Sequence, residues 1–139
     1  MFKLIFAAFA TCITAAAVPA GAADLTIAID GVASADGKVM VALYDSTGPF
    51  PGKPMRAAAV PATAGAVQVQ IKDLPAGDYA VAVYHDANDN GKLDRNAVGM
   101  PVEDYAFSNN ALGKHGPPAF ADARFAVPAA GATACVNLR

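Results

Sequence analysis

Cysteine is scarce in this sequence, and so is any concentration of positive charge. Of the two cysteines, Cys12 lies in an N-terminal apolar run that we expect to be removed, which leaves Cys135 alone. No intramolecular disulfide is then available, so stability has to come from the core and from any bound metal. Removal of that run also takes Lys3, one of ten basic residues, and leaves nine of them against twelve acidic ones. No basic cluster remains to neutralise several phosphates, which argues against nucleic acid as a partner.

A hydrophobic stretch long enough to span a membrane is also missing. The apolar run from Leu4 to Val18 falls short of the ~20 residues that a spanning helix needs, and Pro19 and Gly21 break any helical continuation of it. A short positive start, an apolar run and small residues up to Ala23 are instead typical of a signal peptide. We therefore predict a signal peptide over residues 1–23, cleaved after residue 22 or 23, and one domain over residues 24–139 without a membrane span. The protein is expected in the periplasm or outside the cell.

Convincing helical periodicity is absent from the mature chain, where apolar and polar residues alternate instead. Leu25, Ile27 and Ile29 share one face of the first such segment, and the same period of two recurs along the chain. The predicted strands lie around residues 25–29, 39–43, 67–71, 79–83, 125–127 and 136–138. One more between residues 57 and 63 contains Pro61, which would place it at a sheet edge. This pattern predicts an all-β fold, a single antiparallel β-sandwich of about seven strands.

The turn before the fourth of these strands has the form Leu-Pro-x-Gly-x-Tyr and runs from Leu74 to Tyr79. Its Pro-Gly turn leads into a strand whose first inward aromatic residue can hold the corner. The turn resembles that of transthyretin-like and collagen-adhesin B-type sandwich domains. The Tyr-Arg-Gly-Ser terminus of the transthyretin-like hydrolase of hydroxyisourate is absent, since the chain ends at Asn137-Leu138-Arg139. The resemblance therefore implies a transthyretin-like or Ig-like fold and no particular chemistry.

The segment after the fourth strand matches the front half of an EF-hand calcium loop. Oxygen-bearing side chains occupy positions 1, 3, 5 and 9, and Gly91 stands at position 6, where the turn needs a positive φ. The predicted ligands from this loop are Asp86, Asn88, Asn90, the backbone carbonyl of Lys92, and Asp94.

One ligand of an EF-hand is missing, because Ala97 stands at position 12 in place of the bidentate glutamate. We expect Glu103, brought back by the turn at residues 99–101, to replace it. With so few carboxylates the affinity for Ca²⁺ would be weak, at about the 10⁻⁴ to 10⁻³ M level of extracellular modules. The alternative is a loop without metal, whose Asp and Asn side chains bond to the backbone. The sequence leaves both interpretations open.

Residues 94–122 have no periodicity of strand or helix, yet they are too apolar for a disordered segment. We predict a long ordered loop that caps one end of the sandwich. The residues expected to order this loop or to line a groove are His85, Tyr105, Phe107, Ser108, Asn109 and Asn110. Phe50 is a further candidate for that groove, although such aromatic residues also serve as loop anchors.

Two residues of this set have a catalytic interpretation beside a structural one. His85 could act as a base or a metal ligand, but a histidine at such a strand end more often bonds to a loop carbonyl, and we favour that interpretation. Ser108 could act as a nucleophile, but no Gly-x-Ser-x-Gly elbow surrounds it, and capping of backbone groups is favoured. Cys135 is expected to be partly exposed and inert.

Three motifs occur together in this chain. His-Asp-x-Asn-x-Asn-Gly-Lys-Leu-Asp covers residues 85–94, Gly-x-Pro-x-Glu-x-Tyr-x-Phe-Ser-Asn-Asn covers residues 99–110, and Gly-Pro-Pro-x-Phe covers residues 116–120. The combination resembles the bacterial secreted family called domain of unknown function 2141, with Ala106 where that family is expected to have glycine. The resemblance implies a small exported β-sandwich and no activity.

Two classes of function remain open. The preferred one is an exported, non-enzymatic binding or structural module whose long loop, with a weak calcium site, presents a groove to a protein, peptide or glycan. The alternative is a small metal-dependent hydrolase that uses His85, Asp86 and Glu103. The two hypotheses differ in whether His85 and Asp86 are free to reach a substrate.

Overall fold

A computed structural model describes residues 22–139, and the predicted signal peptide lies almost wholly outside them. Eight strands occupy most of this part of the chain, together with one 3-10 helix at Ser108–Asn110 and one short helix, α1, at Phe120–Ala123. The strands are β1 Ala23–Val32, β2 Lys38–Asp45, β3 Arg56–Pro61, β4 Gly65–Leu74, β5 Gly77–Asp86, β6 Tyr105–Phe107, β7 Phe125–Val127 and β8 Ala132–Asn137. The predicted all-β sandwich is confirmed.

The strands form two sheets. The smaller sheet has the order β4-β1-β8, and the larger has the order β3-β2-β5-β6, with β7 beside the other end of β5. All pairs are antiparallel except β1 and β8, which run parallel. The sandwich is therefore antiparallel apart from this one pair. Strand β8 follows β7 of the other sheet, so no hairpin with its neighbour fixes its direction.

The core lies between the inner faces of the sheets, where the predicted alternation holds. Leu25, Ile27 and Ile29 are fully buried on β1 and face Val81 and Val83 of the opposite sheet within one cluster. Burial of each such side chain contributes about 1.5–3 kcal/mol relative to an exposed one. Strand β3, which the sequence placed at an edge because of Pro61, is the edge strand of the larger sheet.

The turn between β4 and β5 is held by Tyr79. Its hydroxyl donates a hydrogen bond of 2.5 Å to the carbonyl oxygen of Pro75, and its ring is buried in the core. A tyrosine that bonds back to the chain a few residues upstream is the corner seen in Ig-type sandwiches. The sequence pattern Leu-Pro-x-Gly-x-Tyr therefore identified the residue that fixes this corner.

The segment predicted to be without regular structure contains three short elements. Strand β6 and the 3-10 helix lie within residues 94–122, and α1 begins there and ends at Ala123, so the predicted ordered loop contains short regular elements. Each element has only three or four residues, which is too few to show a period in the sequence. Pairing with β5, at Ala82–Phe107 and Tyr84–Tyr105, defines β6.

Candidate functional site

The candidate site begins where β5 ends, at a carboxylate that the backbone surrounds. Asp86 is fully buried, and its two side-chain oxygens accept hydrogen bonds from the N–H groups of Asn90, at 3.1 Å, and Gly91, at 2.8 Å. Gly91 has a φ of +77°, as the motif predicted. Tyr84 also donates to the carbonyl oxygen of Gly91, at 3.2 Å. Two residues of β5, Tyr84 and Asp86, therefore hold the start of the loop through hydrogen bonds to its backbone.

Two amides of the loop converge on one carboxylate. The side-chain nitrogens of Asn88 and Asn90 each lie 2.6 Å from one of the two carboxylate oxygens of Asp94. The N–H of Lys92 donates to the side-chain oxygen of Asn90 at 3.1 Å, which tightens the turn. The side chains at positions 3, 5 and 9 of the motif thus contact one another.

Glu103 turns back toward this cluster. Its side-chain oxygen accepts a hydrogen bond of 3.2 Å from the N–H of Asp94, and the N–H of Val102 donates to the carbonyl oxygen of Asp94 at 2.9 Å. Burial raises the pKa of Glu103, the charges of Asp94 and Asp86 raise it further, and the N–H of Asp94 lowers it. The turn before Glu103 therefore brings a second carboxylate next to Asp94.

Side-chain carboxylates and imidazoles alone do not form a metal centre in this part of the chain. Within residues 22–139, no three His, Cys, Asp or Glu side chains gather as ligands of one ion. A cation here would depend on the amide oxygens of Asn88 and Asn90 and on a backbone carbonyl, which are ligands that Ca²⁺ accepts. The amides themselves fit this use, because half a rotation of each exchanges its nitrogen for its oxygen.

The protonation of Glu103 gives a prediction for stability against pH. The pKa of Glu103 is raised in the folded state, so its contribution to the free energy of unfolding is largest at low pH. This contribution falls as the pH rises above the ordinary glutamate pKa. The pKa of Asp94 is lowered by the amides of Asn90 and Asn88, so the stability from that carboxylate is lost as the pH falls below the ordinary aspartate pKa. We expect Glu103→Gln to abolish the decline in melting temperature as the pH rises and to keep the decline at acidic pH that Asp94 causes. Identical pH profiles for the two proteins would contradict this assignment.

His85 lies beside Asp86 on the inner face. It is buried, and its Nε2 atom lies 2.7 Å from the carbonyl oxygen of Asp36, to which it donates a hydrogen bond. Its own N–H donates to the carbonyl oxygen of Asp104 at 2.9 Å. His85 therefore ties the turn before β2 and the long loop to the end of β5, which is the structural role favoured from the sequence.

Ser108 is buried between β5 and α1. Its hydroxyl accepts a hydrogen bond of 2.9 Å from the N–H of Val81 and donates one of 2.5 Å to the carbonyl oxygen of Ala123. Both hydrogen bonds of this hydroxyl thus go to backbone groups. This geometry gives Ser108 the role of a clamp between two elements.

The two asparagines after Ser108 continue the same clamp. Asn109 and Asn110 both have positive φ, +60° and +50°, a region that asparagine tolerates better than most residues. The amide of Asn109 donates to the carbonyl oxygens of Asp122 and Arg124, at 3.2 and 2.8 Å. The side chain of Asn110 accepts from the N–H of Asn137 at 3.0 Å. Residues 108–110 therefore join β5, α1 and β8.

The predicted groove residues on β6 belong to an aromatic cluster. Phe107 packs edge to face against Phe50 and Tyr105, with ring centroids 5.8 and 6.1 Å apart, and Phe50 contacts Tyr44 and Phe120 in the same way. A small cavity of about 140 Å³ lies beside β6. It is lined by Tyr105, Ala106, Phe107, Ala111, Leu112 and Arg139. Phe50 is therefore both a loop anchor and part of the same surface as Tyr105 and Phe107.

Sequence reasoning missed two contributors to the site. The carbonyl of Asp36 and the close approach of Gly37 to Asp86 come from a turn about fifty residues earlier in the chain. The only sequence signal was the Ala-Asp-Gly pattern at residues 35–37. This pattern predicts a turn but does not show that the turn packs against Asp86.

The fold and this site define a class of small β-sandwich domains with an Asp/Asn-rich loop at the end of a central strand. The family model for an uncharacterized protein conserved in bacteria (DUF2141) matches residues 27–135, so the chain belongs to that family. No curated protein and no solved structure gives a significant match. In residues 22–139, no helix is both long and apolar enough to cross a membrane.

Proposed function

We propose that this protein is an exported, non-enzymatic binding or structural module in which weak binding of Ca²⁺ orders the loop of residues 86–104. The observation that carries the proposal is the convergence of Asn88, Asn90 and Glu103 on Asp94. A metal-free turn would have the same kind of hydrogen bonds within the loop, so titration decides the calcium part. The ligands of the module would be a protein, peptide or glycan.

The assignment to a non-enzymatic class rests on how the reactive side chains are used. The hydroxyl of Ser108 and the Nε2 of His85 each bond to backbone groups, and both residues are buried. Both oxygens of Asp86 accept backbone N–H groups. The alternative hydrolase would need His85 and Asp86 at an accessible surface together with Glu103, and no observation favours it.

Export is part of the proposal. Strand β1 begins at Ala23, which is buried and pairs with Leu74, and this supports cleavage after residue 22 rather than after residue 23. The relationship to transthyretin-like and collagen-adhesin B-type domains is a proposal of the same kind, and the corner at Tyr79 supports it.

Calcium titration of the metal-stripped protein tests the loop. We expect about 1–3 kcal/mol of stabilisation at ~10 mM Ca²⁺, because binding at a Kd of about 10⁻⁴ to 10⁻³ M shifts the unfolding equilibrium by mass action. Differential scanning calorimetry measures the rise in melting temperature. Hydrogen exchange should slow in residues 86–104 and stay unchanged in β1, since the effect is local.

Two isosteric variants identify the carboxylate that completes the site. Glu103→Gln is expected to weaken the response to calcium at least about tenfold, since charge is the main source of affinity at such a site. Asp104→Asn, one residue away, serves as the control and should respond as the parent protein does. No response of the parent protein to calcium would contradict the calcium site. Turnover of ester, phosphate or peptide substrates that His85→Ala abolishes in a folded protein would favour the hydrolase.

A further inference from the structure

Strand β4 is the last strand of the smaller sheet, so within residues 22–139 one of its two edges has no neighbouring strand. Such an edge exposes the N–H and C=O groups of the backbone, and these groups can pair with another chain. Folded proteins commonly block a free edge with proline, charge or a bulge. Residues 66–71 contain none of these three, because they read Ala-Val-Gln-Val-Gln-Ile and keep an unbroken register with β1. This stretch is therefore open to pairing.

The hydrogen bonds of β1 show which backbone groups of β4 face the free edge. The N–H of Leu138 donates to the carbonyl oxygen of Asp30 at 2.9 Å, so the backbone of Asp30 faces β8. Successive residues of a strand direct these groups to opposite sides. Ile29 and every second residue before it therefore face β4, and their partners on β4 face β1. The residues between those partners, Gln68 and Gln70, direct their N–H and C=O groups to the free edge.

The other sheet edges in the described part of the chain are shorter or already occupied. Strand β3 has six residues and ends at Pro61, which has no N–H to donate, and β7 has only three residues. On β8, the N–H of Asn137 donates to the side chain of Asn110. On β6, Tyr105 exchanges two backbone hydrogen bonds with Arg139, at 3.3 and 3.4 Å. Strand β4 therefore has the edge best suited to a new strand.

Beside this edge, the space between the two sheets is incompletely closed. Val67 on β4 and Ala58 and Val60 on β3 pack against the core but stay partly exposed. We call these three residues the lateral opening. The guanidinium of Arg56 on β3 donates to the carbonyl oxygen of Lys72 on β4 at 2.9 Å, so the two edge strands lie on the same side of the sandwich. A strand added to β4 would direct every second side chain toward the lateral opening.

We propose that β4 binds an extended peptide segment of a partner protein as an added antiparallel strand along residues 66–71. The backbone donors and acceptors of this edge recur at every second residue, and an extended peptide backbone has the same repeat. The antiparallel direction is the more stable one per residue. The lateral opening selects apolar side chains at alternate positions of the peptide, and the exposed amides of Gln68 and Gln70 select polar ones between them. This partner site goes beyond the proposed calcium loop, which follows β5 in the other sheet.

Isothermal titration calorimetry of the chain recovered after export, with the probe peptide Lys-Val-Thr-Val-Thr-Val-Lys, tests the proposal. In the antiparallel register the two threonines pair with Gln68 and Gln70 and direct their N–H groups to β4, while the valines face the lateral opening. N-methylation of both threonines removes these donors and is expected to weaken binding at least about tenfold, which corresponds to ~1.4 kcal/mol. N-methylation of two valines, whose N–H groups face water, is the matched control and should leave the affinity unchanged.

A proline on the protein side gives the reciprocal test. Gln68→Pro removes an N–H that faces the free edge and leaves the hydrogen bonds to β1 in place, so it should also weaken binding at least about tenfold. Gln68→Ala keeps this N–H and should bind as the parent does. If Gln68→Pro fails to fold, the methylated peptides still decide the question on the parent protein.

Three results would overturn the proposal. They are no binding of the unmodified peptide at ~1 mM, equal affinities for all three peptides, and pairing of two β4 edges between copies of this chain that excludes the peptide. Each titration is run in EDTA and again with Ca²⁺, and we expect the same affinity in both. A failure of the calcium site is then distinguishable from a failure of strand addition.

Discussion

Replacement of Gly37 by alanine is expected to destabilise the protein by about 3 kcal/mol or more. Gly37 has a φ of +65°, and a Cβ atom there would lie 1.9 Å from the carbonyl oxygen of Asp86. The backbone at Asp86 cannot yield easily, because its side chain caps two N–H groups of the loop and the preceding His85 bonds across to Asp36. The variant should therefore loosen both the turn before β2 and the start of the candidate loop. Urea denaturation measures the loss.

Gly99→Ala is the matched control for this substitution. Gly99 also has a positive φ, +83°, but no atom lies within 4 Å of the position of its Cβ. Its cost should be limited to the backbone strain of about 1–2 kcal/mol. Equal losses for the two variants would show that strain alone, and not the contact with Asp86, makes Gly37 necessary.

Replacement of Ser108 by alanine is the second large effect that we expect, a loss of about 2–4 kcal/mol. The substitution leaves the N–H of Val81 and the carbonyl of Ala123 without their partner in a buried place, and each such group costs about 1–3 kcal/mol. For a domain of this size the melting temperature should fall by about 10 °C. Hydrogen exchange should show the loss at Val81 first.

Ser46→Ala is the control, because Ser46 is an exposed turn residue after β2. It should change the stability by less than about 0.5 kcal/mol. If Ser108→Ala were equally mild, the clamp between β5 and α1 would not be a main source of stability.

The sequence predicted those parts of the fold that depend on the residue pattern within a single strand. Leu25, Ile27 and Ile29 alternate with small or polar residues, and this pattern alone fixes which face of β1 is buried. Pro61 predicted an edge strand for the same kind of local reason. The direction of β8 and the existence of β6 were not predictable, because both depend on pairing with strands far away in the chain.

In the candidate site too, the local features were predictable from the sequence and the contacts between distant residues were not. The spacing of Asp86, Asn88, Asn90 and Asp94 is local, and the structure has these side chains facing inward around one turn. The return of Glu103 was an expectation from the turn at residues 99–101, and its contact with the N–H of Asp94 agrees with that expectation. The same spacing suits amides that donate to the Asp94 carboxylate and amides that bind a cation through their oxygens. Titration with Ca²⁺ distinguishes the two.

The sequence by itself determined the class of fold, the inward face of each long strand, the corner at Tyr79 and the polar loop after β5. These features depend on residues within one element or one turn, where side-chain period and backbone preference act directly. Only the tertiary structure decided that Gly37 closes against Asp86 and that residues 108–110 join three elements. The reason is that each of these depends on strand order and register, which bring distant segments together and leave no local period in the chain.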